Sequence, residues 1–289
     1  GAGGGLGRSH ALELSKRGAK VVVNDLGGSV DGSGGSSEAA EKVVKEIISS
    51  GGQAISNGSS VTDDKGVKLM IDQTINEYGK IDILINNAGI LIDKSFSKME
   101  INDFEKVLNV HLLGSVKPTK AVWEIMKEQN YGRIIVTSSS SGLYGNFGQT
   151  NYGAAKLGLV GFMNTLKLEG QKYNVHVNAL TPVAYTRMTA NLMPPEAENL
   201  LTPESVTPAA IYLVSDEAPN GVILCAGAGV YSVSKIMESD GLSLGLNATA
   251  EDIVNNWEKI SNFDDAKAYN MGGEQTGKVF EKAMETIEK

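Results

Sequence analysis

A single cysteine, Cys225, stands in this chain of 289 residues, together with three histidines and four arginines. One cysteine excludes an internal disulfide and points to a reducing compartment, the cytoplasm being the expectation. Within "VILCAG", Cys225 reads as a small buried residue rather than a reactive thiol. His10, His111 and His176 lie far apart with no cysteine or carboxylate at ligand spacing, so no metal site is expected; His10 reads as a helix-surface residue and His176 as a strand residue. Cations are scarce too: 26 Lys and Arg against 34 Asp and Glu leave a net charge of −8. That balance argues against a nucleic-acid surface, which needs clustered cations to neutralise phosphates. No apolar run reaches the ~18 residues of a membrane span, and no signal-peptide pattern is visible. Neither nucleic acid nor membrane is an expected partner.

What the chain does contain is alternation. Short apolar runs predict strands at 19–25, 52–57, 81–89, 132–139, 174–182 and 221–227. Amphipathic segments predict helices at 6–16, 36–50, 64–78, 103–128, 151–172 and 207–215, with "SVKP" at 115–118 marking a bend. The strands are apolar throughout instead of alternating, as in a parallel sheet covered on both faces. The expected fold is therefore α/β, a doubly wound, Rossmann-like parallel sheet over residues 1–227. Residues 228–289 read as a helical extension. There Thr249 caps "TAEDIVNNWEKI", whose Ile253, Val254, Trp257 and Ile260 share a face, and 274–289 has a second helical pattern. Such a helix has to bury Trp257, on its own core or across a dimer.

The opening "GAGGGLGRSHALEL" puts glycines immediately before a helix. A turn of that kind lets backbone N–H groups approach a phosphate at a helix start. Its spacing is Gly1-x-x-x-Gly5-x-Gly7, neither the G-x-G-x-x-G fingerprint nor a P-loop. Such turns follow a strand, so a central first strand of about ten residues is expected upstream of Gly1. Asp25 ends the next strand. A carboxylate there accepts hydrogen bonds from ribose hydroxyls and repels a 2′-phosphate, which favours NAD over NADP. The Gly/Ser segment 27–37 follows directly and is read as a surface loop able to drape over the ligand.

Tyr-x-x-x-Lys occurs twice, in "NYGAAK" and "VYSVSK". With 9 Tyr and 22 Lys, roughly one such pair is expected by chance, so context must choose. Tyr152 and Lys156 fall at the start of a helix and share a face. Lowering a phenol from its usual value to near neutrality takes roughly 4 kcal/mol, to which a neighbouring ammonium and a nicotinamide cation both contribute. Such a tyrosine serves as general base toward an alcohol. Thirteen residues earlier Ser139, in "TSSSS", ends a strand and can hold the substrate oxygen. Before Tyr231 the equivalent position is Ala218, so that second pair is read as accidental.

Taken together, "GAGGGLG", "NNAG" (86–89), "TSSSS" and "YGAAK" resemble the short-chain dehydrogenase/reductase family over residues 1–227. Longer stretches, among them "INNAGILIDKSF" and "YGRIIVTSSSSGLYGNFGQTNYGAAKLGLVG", resemble its (3R)-hydroxyacyl-CoA dehydrogenase modules and their bacterial stand-alone relatives. The resemblance implies an NAD-dependent oxidoreductase acting on a secondary alcohol or ketone, a (3R)-hydroxyacyl-CoA in the favoured case. A steroid, a sugar alcohol or a carrier-bound ketone is the alternative substrate, and a non-catalytic dinucleotide sensor the alternative class. It implies Tyr152 as acid/base, Lys156 as its activator and holder of the nicotinamide ribose, and Ser139 as the group orienting substrate. Gly1, Gly5, Leu6 and Gly7 would line the pyrophosphate and Asp25 the adenosine ribose. Ser60, Val61, Asn86 and Ala88 would sit along the cofactor, and Thr186 at the carboxamide. A homodimer or homotetramer is also implied. Two departures stand out. His111, in "VHLLG", occupies the position of a catalytic asparagine, with Asn109 two residues earlier, and Pro182-Val183 replaces the usual Pro-Gly. Neutral His111 is expected to sustain the proton path, with a plain structural histidine as the rival reading, since a ring nitrogen can serve either role.

Overall fold

The computed structural model describes residues 1–190 and 194–287, and the chain divides into two compact units, Gly1–Val233 and Ser234–Lys289. In the first, the apolar runs become strands: β1 (Lys20–Asn24), β2 (Gln53–Asn57), β3 (Ile83–Asn86), β4 (Gly132–Thr137), β5 (Val175–Pro182), β6 (Ile223–Gly227) and β7 (Val230–Ser234). β1 and β2 pair in parallel; a second sheet runs β3-β4-β5-β6-β7, parallel from β3 through β6. The fold is the expected Rossmann-like α/β arrangement. β1 and β3 are not paired with each other. A cavity of about 510 Å³ lies between them, lined by Val21 and Val22 on one side, Leu84 and Ile85 on the other.

Helices connect these strands: α1 (Gly5–Lys16), α2 (Glu38–Ser49), α3 (Asp64–Tyr78), α4 (Ile101–Leu108), α5 (Gly114–Gln129), α6 (Ser140–Tyr144), α7 (Thr150–Gly170) and α8 (Pro203–Leu213). Local signals set their ends. Asp63 caps α3 by accepting from Gly66 N–H, and Gly79 stops it in the left-handed region at φ 78°. Thr202 caps α8 ahead of Pro203.

Every residue of β4 is buried. Ile134 and Val136 join Val122, Met126, Leu159 and Met163 on one face, while Ile135 joins Leu180, Val206, Ala210 and Leu213 on the other. Burying each large aliphatic side chain contributes roughly 1.5–3 kcal/mol, and this packing holds the carboxyl ends of the strands in place.

Three expectations change. The helix expected over 103–128 breaks at 109–113, not at 115–118. Asn109–Leu113 forms a π-type turn in which Gly114 N–H reaches back to Asn109 O. Pro118 is accommodated inside α5, where it has no N–H to offer the carbonyl one turn back. His10, expected on the helix surface, is 2% exposed; α1 lies against α8, and His10 Nδ1 meets Thr207 Oγ1 at 2.9 Å. The first unit runs past 227 because β7, which the sequence reading omitted, adds to the sheet edge beside β6.

The second unit contains α9 (Ala250–Asn255), α10 (Trp257–Ile260) and α11 (Gly272–Ile287). Thr249 and Asp252 form a reciprocal capping box at α9. The helix expected over 249–260 is interrupted at Asn256, and Trp257 is 59% exposed, so of the two expected places for it the chain's own core is not the one.

Candidate active site

The carboxyl ends of parallel strands, where a doubly wound sheet binds ligands, bring most of the expected residues together. At one end lies the glycine turn. Gly4 precedes α1 without a side-chain cap, and the space around it is open. Side chains would not fit beside it. A Cβ on Gly7 would lie 2.1 Å from Gly1 O, and one on Gly3 2.9 Å from Asp25 Oδ2. Gly5 adopts φ 51°, with the Thr186 methyl just above it. Leu6 is half-buried against the core cluster of α8. The result is a cradle of backbone N–H groups at a helix start, which suits a pyrophosphate.

Asp25 faces that turn. Its Oδ2 accepts from Gly3 N–H at 2.7 Å and its Oδ1 from Gly27 N–H at 2.6 Å, so the carboxylate is fixed with lone pairs left over. The loop after Asp25 is anchored at Val30 O, which accepts from Leu91 N–H at 3.0 Å, and at Gly28 O, which accepts from Arg187 Nη2 at 3.2 Å. Arg187 carried no signal in the sequence. Asn87 was also missed, although it stands in "NNAG"; its Nδ2 donates to Gly1 O at 2.8 Å and ties β3's end to the turn. Asn86 is buried and donates to Thr119 Oγ1 at 3.1 Å. A Cβ on Gly1 would meet the Ala88 backbone at 2.8 Å. Ser60 and Val61 follow β2, where Ser60 Oγ meets Thr62 Oγ1 at 2.9 Å and Val61 packs on Gly114.

Ser139, Tyr152, Lys156 and His111 converge at the other end. Ser139 caps α6, its Oγ accepting from Ser141 N–H at 3.2 Å, and its hydroxyl pulls the Tyr152 phenol down. Lys156 is buried; its Nζ donates to Thr137 O at 2.5 Å and lies 5.4 Å from the Tyr152 ring centroid. The π-type turn swings His111 inward, where its ring meets that of Tyr152 edge-on at 5.0 Å. His111 Nε2 lies 3.0 Å from Ile90 N and 2.7 Å from Ile90 O, while Nδ1 is buried without a partner. Gly89 leaves it room, since a Cβ there would lie 2.2 Å from His111 Cε1. Asn109 is exposed and takes no part. Tyr231, of the other Tyr-x-x-x-Lys, lies on β7, where successive side chains alternate faces, and its hydroxyl donates to Ser205 O at 3.0 Å.

The electrostatics differ from the expected scheme. Burial raises the Tyr152 phenol, the Ser139 hydrogen bond pulls it down, and the Asp93 charge raises it again. Burial lowers Lys156 to about 7, so the lysine is only partly charged at neutrality and is not the group holding the phenol low. Burial, then Lys156, lowers His111 well below its usual range and keeps it neutral. Val183 N–H donates to Ala226 O at 2.8 Å, which pins the segment after β5.

The family described as short chain dehydrogenase matches residues 1–197. The chain belongs to the short-chain dehydrogenase family. Its members are oxidoreductases acting on CH–OH groups and use NAD or NADP. A Mycobacterium tuberculosis protein named as a short-chain type dehydrogenase/reductase is 47% identical, over 92% of this chain and 94% of its own. Mouse peroxisomal multifunctional enzyme type 2 is 45% identical, over 97% of this chain but 38% of its own length. The solved full-length type 2 multifunctional enzyme of Drosophila melanogaster superposes with a TM-score of 0.81 at 37% identity, over 99% of this chain and 48% of its own. This short-chain dehydrogenase therefore spans half or less of those multifunctional relatives. A 7α-hydroxysteroid dehydrogenase solved with NADH and a 7-oxo bile acid has a TM-score of 0.71 at 27% identity, over 79% of this chain and 91% of its own.

Proposed function

We propose that the chain is an NAD-linked dehydrogenase of (3R)-hydroxyacyl-CoA thioesters, working in a reducing, cytoplasmic setting. The observation that carries this reading is the meeting of Ser139, Tyr152 and Lys156 at strand ends that also present the glycine cradle and the fixed Asp25 carboxylate. Gly1, Gly5, Leu6 and Gly7 would hold the pyrophosphate, Asp25 the adenosine ribose, and Ser60, Val61, Asn86 and Ala88 the cofactor's length. Tyr152, Lys156 and Thr186 would face its nicotinamide end. When bound, the dinucleotide exchanges hydride with the carbinol carbon and adds positive charge near the phenol.

The protein's own groups handle the proton. Ser139 holds the substrate oxygen and Tyr152 Oη takes the hydroxyl proton as the alcohol becomes a ketone, giving it back in the reverse direction. Lys156, anchored on Thr137 O, fixes the position of its neighbours. Neutral His111 stands edge-on to the phenol and supports the proton path. Phe147, 91% exposed on the segment between Ser139 and Tyr152, offers apolar surface to an acyl chain.

The test is NADH formation across a panel of (3R)-hydroxyacyl-CoA, steroid, sugar-alcohol and carrier-bound substrates, repeated with NADP. A (3R)-hydroxyacyl-CoA with NAD should give the highest kcat/KM; a steroid in first place would move the substrate assignment. Tyr152→Phe should reduce turnover at least a hundredfold. Retention of more than a tenth of turnover removes Tyr152 from its role.

A further inference from the structure

The chain's four arginines differ in what satisfies them. Arg8 pairs with Glu46 and Arg17 with Glu13, and these are the arginine ion pairs among the described residues. Arg133 is 2% exposed and donates to the carbonyls of Gly132, Asn174 and Ser215. Arg187 is exposed, and its guanidinium makes one hydrogen bond among the described residues, from Nη2 to Gly28 O at 3.2 Å. A guanidinium carries five N–H donors, so most of them are uncommitted. The backbone beneath it is fixed. Thr186 N–H donates to Thr189 Oγ1 at 2.8 Å and Ala190 N–H returns to Thr186 O at 2.9 Å, which places Arg187 inside a closed turn. The loop that accepts its bond is fixed too: Ser36 N–H donates to Leu26 O at 2.8 Å, and Leu91 N–H to Val30 O at 3.0 Å.

These two turns flank the glycine cradle. On one side Gly3 N–H is held by Asp25 Oδ2; on the other, a Cβ on Gly5 would lie 3.4 Å from the Thr186 methyl. Arg187 directly follows Thr186, and Gly28 comes three residues after Asp25, so the bond between them joins the two flanks. A cation without a carboxylate partner is thereby brought to the start of α1, where the helix dipole is already positive. Like sign is unfavourable there unless an anion joins it, and the planar guanidinium fork matches phosphate oxygens. We infer that Arg187 is a phosphate-binding residue of the dinucleotide site. Its uncommitted donors take pyrophosphate oxygens, and its bond to Gly28 O holds the loop after Asp25 at the same turn. The inference rests on the reading of the cradle as a dinucleotide site, and it adds a charged side chain where that reading has backbone N–H groups alone.

A ladder of ligands separates phosphate contacts from effects on the loop. NADH binding to the whole chain is followed by its fluorescence, and adenosine, AMP and ADP are measured by displacing it, for the wild type, Arg187→Gln and Arg187→Lys. Arg187→Gln should weaken ADP and NADH about tenfold, the loss expected for one charge-assisted hydrogen bond, and leave adenosine within about twofold. Arg187→Lys keeps the charge without the fork and should fall between the two. Added salt should weaken ADP less steeply in Arg187→Gln than in the wild type. Equal losses for adenosine and ADP would show that Arg187 acts only through the loop, and an unchanged ADP affinity would remove it from the site; either result overturns the inference and leaves the dinucleotide reading standing. A wild-type chain that binds neither NADH nor ADP overturns both together. A selective loss of ADP in a chain that oxidises no secondary alcohol would sink the proposed function and leave Arg187 in its role. Both variants alter an exposed turn and should melt with the wild type. Should Arg187→Gln melt early, Arg187→Lys decides, its loss for ADP having to exceed its loss for adenosine by more than about twofold.

Discussion

Lys156 carries an ammonium into a site where almost no water reaches it. Its folded-state value near 7 lies below its usual 10.5, so between those values the unfolded chain binds a proton that the folded chain does not. Stability assigned to this residue is therefore present above about 10.5 and lost as pH falls through 7. The full span is on the order of several kcal/mol. Against Lys156→Met, the wild-type chain should gain unfolding free energy as pH rises from about 7 toward 10.5, measured by urea titration at several pH values. A constant difference would show that the lysine remains charged in the fold. Residue types and spacing disclosed Ser139, Tyr152, Lys156 and the glycine turn, because helical periodicity and strand ends are written in the local pattern. They could not disclose that burial partly discharges the lysine, or that Arg187 comes in from far along the chain. Those are facts of packing.

Among elements, the contact of α1 with α8 holds a titratable group whose place the local pattern missed. His10 sits on a short helix of weak amphipathicity, and nothing nearby in the chain shows that Thr207, on α8, will cover it. Burial lowers its pKa from 6.5 to about 4. The unfolded chain therefore takes up the proton first, and stability is lost as pH falls from 6.5 through 4, by at most about 3 kcal/mol. His10→Gln should flatten that acid limb in denaturation curves recorded between pH 7 and 4. An unaltered limb would mean that His10 is solvated. Strongly patterned elements were legible almost to the residue, α3 above all, where Asp63 and Gly79 mark both ends. The long helix was legible only in extent. Its proline sits at 118 while the break lies at 109–113, because the position of the break is decided by the fit of His111 against Gly89 and Ile90.

At the scale of the whole chain, the doubly wound sheet was legible from its continuous apolar strands. The helical unit at 234–289 was legible in its caps but not in its burial. The chain's two tryptophans differ accordingly: Trp123 is 7% exposed in the main core, Trp257 59% exposed. Iodide should therefore quench mainly the Trp257 emission, and Trp257→Phe should remove most of the quenchable signal. A signal that resists iodide in both forms would show that another surface covers that ring. The π-type turn also has a meaning for tolerance to change. It holds one residue more than an α-helical turn needs. Dropping a single amino acid from 109–113 would restore an unbroken helix with the residues after it close to their present phase, because the wide turn absorbs the extra residue. Thr119 would keep its bond to Asn86, and Val122 and Met126 their places on the sheet, while His111 would lose the bulge that turns it toward Ile90. At this turn, chain length matters more than the identity of most side chains.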